Sequence, residues 1–172
     1  MECRQTHLAK IRGENSFEIV GSIPLPSAHF PLSTIMIETH YQLTDQGHAF
    51  EEGNCIFLAQ VKEKASGTLL SPSRIGTIKY RVYRLDHSDP TIKTIIPGHD
   101  EVSLDVENVF FTTPVLDGLW NGDCVGYNFR HEPIVTVHPL FPVAGRHYLV
   151  EYRITLTDHP NDVIVRYRVH VI

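Results

Sequence analysis

Eleven histidines in 172 residues are the densest supply of chemistry in this chain. Near neutral pH an imidazole serves as a metal ligand or as an acid–base group. Metal sites on strands use His-x-His and helical ones use HExxH, because each spacing puts two rings on one side of an element. Neither spacing occurs. His131-Glu132-Pro133 opens like HExxH, but Val135 stands where the second histidine belongs and the proline opposes a helix. A metal site would have to be assembled by sheet pairing, with His131, His138 and His147 as its ligands. Most of the other histidines, among them His48, His87, His99 and His159, sit beside turns, where a solvated ring needs no partner.

Other chemistry is thinner. There is no GxSxG, no Walker lysine loop and no GxGxxG. The three cysteines, Cys3, Cys55 and Cys124, form no CxxC pair, which fits reduced thiols and a cytoplasmic location. Cys55 falls on the inward side of a strand and reads as a small apolar core residue. Cys124 adjoins a loop and has no assignable basic partner. Asp117, Asn121 and Asp123 offer oxygen ligands of the kind Ca²⁺ favours, but not at EF-hand spacing, and loops use the same residues to turn. Trp120, the only tryptophan, is either a plug over the core or an exposed anchor for a partner. No cofactor is implied.

The elements that must position these residues are strands. Residues 147–157 alternate, with Tyr148, Val150, Tyr152, Ile154 and Leu156 on one side and charged or polar residues on the other. After the Asp158-His159-Pro160-Asn161-Asp162 turn, Val163, Val165, Tyr167, Val169 and Val171 repeat the pattern. Period-two alternation about a short turn predicts an antiparallel hairpin with one buried face. Segments 17–23, 33–43, 54–63, 75–85, 92–96, 101–111, 123–130 and 134–137 read as further strands, and no segment reads convincingly as a helix. Short strands at this spacing predict an all-β fold, an antiparallel two-sheet Greek-key sandwich, with a cupin or jelly-roll or an up-and-down barrel as alternatives.

The stretch Pro142-Val143-Ala144-Gly145-Arg146-His147-Tyr148, running into a long penultimate strand, resembles the corner before strand F of immunoglobulin-like domains. The resemblance is one of architecture, over about 33–172, and implies no function. It departs from that pattern in lacking Cys…Trp…Cys spacing. Pro142, Gly145 and His147 also loosely resemble the second cupin motif, but the first is missing. The expected organisation is a flexible arm over 1–16 and a single domain over 17–172.

Charge excludes some partners. The net charge of −5 and the scatter of basic and aromatic residues speak against nucleic acid. No apolar run reaches the ~20 residues that cross a bilayer, and the polar start lacks a signal-peptide core. Alternation nonetheless sets Lys79, Arg81, Arg153, Arg166 and Arg168 outward against Glu151 alone, while Glu38, Glu101, Asp105 and Glu107 point outward from 33–43 and 101–107. An immunoglobulin-like arrangement would place these two groups on opposite sheets, one basic and one acidic. The expected function is therefore a non-catalytic protein–protein interaction or self-association module, using Lys79, Arg81, Arg153, Arg166, Arg168 and Trp120. The alternatives are a metal-binding protein or enzyme built on His131, His138 and His147, and a carrier of a small apolar ligand.

Overall fold

The computed structural model describes residues 14–19, 47–62, 66–120, 124–134 and 137–172, with backbone alone for 14–19, Gly47 and His48. The expected strand 33–43 lies outside the described residues, as do Glu38, Asn121 and Asp123. The described strands are β1 (Glu14–Ile19), β2 (Gly47–Ala49), β3 (Ile56–Val61), β4 (Ile75–Leu85), β5 (Lys93–Ile95) and β6 (Val102–Leu104), followed after a helical turn by β7 (Phe110–Val115), β8 (Tyr127–His131), β9 (His147–Leu156) and β10 (Val163–Val171). They form two sheets, ordered β1-β3-β8-β7 and β2-β10-β9-β4-β5, with β6 also paired to β4. β1 joins β3 and β2 joins β10 in parallel, and the remaining pairs are antiparallel. The architecture is an all-β, two-sheet sandwich.

The terminal hairpin follows its alternation. Val163 faces Ile154 and His170 faces His147 across β9 and β10. Tyr152 and Tyr167 are fully enclosed, whereas Arg153 and Arg166 lie on the wet side. Phe57 of the smaller sheet packs its ring 4.9 Å from Tyr167 and 5.9 Å from Tyr152, and Phe129 sits 4.9 Å from Tyr152. Each ring stabilises the sandwich by roughly 2–3 kcal/mol through burial.

Tyrosine rather than phenylalanine stands at these sites because each hydroxyl finds a partner. Tyr167 donates to the Leu58 carbonyl at 3.1 Å, tying one sheet to the other. Tyr148 donates to the Val143 carbonyl at 3.1 Å and accepts from the Val143 amide at 3.0 Å, which closes the corner that leads into β9. Asn128, also enclosed, works as a surrogate strand: its Oδ1 accepts from the Val61 amide, and its Nδ2 donates to the carbonyls of Val61 and Leu70.

Four segments depart from expectation. β1 starts at Glu14, inside the stretch expected as a flexible arm over 1–16 and ahead of the strand expected over 17–23. The strand predicted over 101–111 breaks into β6, a helical turn α1 (Val106–Val109) and β7. Asp105 starts the turn by accepting a hydrogen bond from the Glu107 amide at 3.3 Å, a local cap that overrides the alternation. Because β6 pairs with β4 and β7 with β8, this turn carries the chain from one sheet to the other. Within the stretch predicted as strand 134–137, Ile134 and Val137 belong to no strand and are 83% and 78% exposed. The strand predicted over 123–130 starts only at Tyr127.

Candidate functional site

Residues of β4, β6, α1, β7 and β8 line a cleft of about 550 Å³. Three of its buried lining residues carry polar groups: Tyr80, His99 and His131, which are 5%, 3% and 9% exposed. Val102, Leu104, Val109 and Phe111 supply apolar wall, Ser103, Asp105 and Asn108 supply polar wall, and the exposed Ile134 and Val137 also line it. The floor is positioned by three separate pieces of chain. Tyr80 is an inward residue of β4, and its ring centroid lies 5.1 Å from that of His131 at the end of β8. His99 follows Gly98, whose positive φ of 82° turns the chain inward and whose missing side chain leaves room for the ring of His138.

Hydrogen bonds give the floor a fixed sense. His99 Nε2 lies 3.0 Å from the His138 carbonyl, which can only accept, so Nε2 carries the proton. Nδ1 of the neutral ring is then bare and accepts from the Tyr80 hydroxyl at 2.9 Å. The Tyr152 hydroxyl is buried, and its partner is His131 Nδ1 at 2.8 Å. A buried hydroxyl needs an acceptor, so Tyr152 donates and the proton of His131 sits on Nε2. His131 Nε2 has no hydrogen-bond partner among the described residues, and the ring lines the cleft. The floor therefore offers one N–H donor, on His131, and one phenolic oxygen, on Tyr80, whose own proton is committed to His99, the His131 and Tyr80 rings lying 5.1 Å apart.

Burial also keeps the floor uncharged. It lowers the His131 pKa to about 4, with a further push from nearby His99, and it lowers that of His99 as well. It raises the Tyr80 pKa. Cys55 is free, and burial followed by the charge of Glu132 holds its thiol protonated. Two further lining residues, Arg130 and Glu132, pair at 3.2 Å. The arrangement offers directed hydrogen bonds, apolar walls and a neutralised ion pair, which is the chemistry of recognition.

Of the expected metal ligands, His131 and His138 line this cleft, while His147 lies on the outward side of β9, its ring stacked 4.7 Å from that of His170. The structure does not bring the three together. No group of three or more His, Cys, Asp or Glu among the described residues is placed to hold a metal ion. Asp117 is used in folding, as its place in a turn suggests: it accepts from the Tyr127 hydroxyl at 2.8 Å and the Leu119 amide at 2.9 Å. Cys124 is disulfide-bonded, which corrects the reading of three reduced thiols.

The five cations do share the outer face of the larger sheet, but that face is not the isolated basic surface expected. Arg166 meets Glu151 at 2.6 Å and Arg153 lies 3.7 Å from Asp162. Glu101, expected on the opposite sheet, sits beside β4 because β6 belongs to the same sheet. It pairs with Lys79 at 3.2 Å and with Arg81 at 2.7 Å, and Arg81 also reaches Asp100 at 3.0 Å. Arg168 has no salt bridge among the described residues. Trp120 is 8% exposed and packs with Leu58 and Tyr127 in a small cluster separate from the main core.

Sequence reasoning passed over Tyr80, His99 and Tyr152 as functional residues. His99 was expected in solvent beside a turn and is buried instead, because the Gly98 turn folds it against Tyr80 and the 138 carbonyl. Its one local signal was the glycine that precedes it. No family model, curated protein or solved structure matches this chain, and no helix among the described residues is long and apolar enough to cross a membrane.

Proposed function

We propose that this chain is a non-catalytic binding module whose principal site is the cleft floored by Tyr80, His99 and His131. One observation carries the reading: a neutral, nearly buried histidine, His131, whose Nε2 has no hydrogen-bond partner among the described residues, lines a cleft of about 550 Å³ with both apolar and polar walls. Pockets of this size with a few convergent polar groups are where small ligands bind. The exposed Ile134 and Val137 add apolar surface that an occupant would cover. Titration of isotope-labelled protein with a library of small organic fragments tests it. Shifts confined to Leu104, Val109, Phe111 and His131, and lost in a Leu104→Trp variant that fills the cleft, are expected. Fragments that leave these residues untouched at millimolar concentration would defeat the proposal.

A second reading rests on Arg168, the cation of the outer face without a salt bridge among the described residues. In it, an acidic partner protein or a second copy docks on the face carrying Lys79, Arg81, Arg153, Arg166 and Arg168, as the immunoglobulin-like architecture would allow. Complementary potentials set the orientation and rate of such encounters. Reversing Arg166 and Arg168 to glutamate is expected to abolish partner capture and self-association at low salt. Unchanged capture and assembly would remove this reading.

A further inference from the structure

We infer that the occupant of the cleft carries a neutral head group able both to accept and to donate a hydrogen bond, an alcohol or a primary carboxamide, on a compact apolar body. The inference rests on the reading of the cleft as a binding site and specifies what it takes. His131 Nε2–H asks for an acceptor, and the Tyr80 oxygen, whose proton is held by His99 at 2.9 Å, asks for a donor. Only a group offering both satisfies the two at once.

The charged alternatives fit less well. A carboxylate would satisfy His131 but would set its second oxygen against the lone pairs of Tyr80. Tyr80 cannot turn its proton toward the ligand without leaving His99 Nδ1 unpaired. The one cation lining the cleft, Arg130, is already engaged with Glu132 at 3.2 Å. Asp105 also lines the cleft and adds negative charge to it. An ammonium group would satisfy Tyr80 but leave the His131 donor facing a cation with nothing to accept its proton. Val102, Leu104, Val109 and Phe111 surround the space above the floor and bury an apolar body.

A matched series decides the matter: cyclohexanecarboxamide, cyclohexylmethanol, cyclohexanecarboxylate and cyclohexylmethylamine, each titrated into the intact chain near neutral pH. The amide and the alcohol are expected to bind about tenfold or more tightly than the two ions, one misplaced hydrogen bond to a buried group being worth about that factor. They are also expected to move the His131 Nε2 resonance. His131→Phe and Tyr80→Phe, each checked for folding by thermal melt, are expected to erase the preference while leaving weak binding of the apolar body. Equal binding across the series, or preference for either ion, would overturn the head-group assignment and leave the cleft intact as a site. If no member of the series binds, the cleft reading itself falls. The series on the unaltered chain decides even where a variant does not fold.

Discussion

At the scale of the residue, the chemistry lies in what neighbours do to histidine and glycine. The unfolded chain protonates His131 near the ordinary value of 6.5, while the folded ring resists until about 4. Folded molecules thus hold fewer protons in that window, and stability falls as the pH drops through it, by an amount on the order of 3 kcal/mol for this one group. The lowered pKa of His99 acts in the same direction. Urea unfolding at about pH 7 and about pH 4.5 checks this. The decline should be visibly shallower in His131→Phe, and an equal decline in both proteins would contradict the assignment. Gly98 is the second sensitive residue. An alanine there would combine a φ of +82° with overlap of the new Cβ and the His138 ring. Gly98→Ala is expected to lose about 2–3 kcal/mol of stability by thermal melt, and with it the His99–His138 bond.

At the scale of the element, two devices hold the sandwich in register. Asn128 replaces backbone pairing at the end of β3, bonding to Val61 and Leu70 from within a fully buried position. Asn128→Ala leaves the Val61 amide and the Leu70 carbonyl to find new partners, while the Val61 carbonyl keeps its bond from the Leu70 amide, and is expected to cost about 2–4 kcal/mol, read as a lowered urea midpoint. Tyr148 closes the corner before β9 through both polar groups of Val143. Tyr148→Phe keeps the ring and removes only these bonds, so a smaller loss of about 1–2 kcal/mol is expected. A loss as large as that of Asn128→Ala would mean that the ring itself shifts. The same scale explains α1. A carboxylate at the cap position ends β6 and hands the chain to the other sheet, which places Val102 and Leu104 opposite Val109 and Phe111 around the cleft.

For the whole molecule, the decisive quantity is how charge is distributed. The outer face of the larger sheet holds five cations, yet Glu151, Glu101, Asp100 and Asp162 answer four of them. Pairs as exposed as Lys79–Glu101 contribute about 0–1 kcal/mol each to stability, so their larger effect is on the field felt by a partner. Glu101→Gln frees both Lys79 and Arg81 from that carboxylate. It is expected to change the melting temperature little and to raise the salt needed to elute the protein from a heparin column. Unaltered elution would show that the face does not set the field around the molecule.

The alternation of 147–157 and 163–171, the strand at 75–85 and the inward set Ile78, Tyr80 and Val82 were legible in the sequence alone. Side-chain direction along a strand follows from covalent geometry, and apolar residues at every second position can be hidden only one way. Tertiary structure decided everything that depends on which strand lies beside which. Expected charge segregation failed because β6 joined β4, bringing Glu101 to Lys79 and Arg81. The cleft could not be foreseen because Tyr80, His99 and His131 stand on segments that meet only when the sheets pack. Their neutrality and tautomers come from burial and from Tyr152 and His138, and no spacing along the chain encodes those contacts.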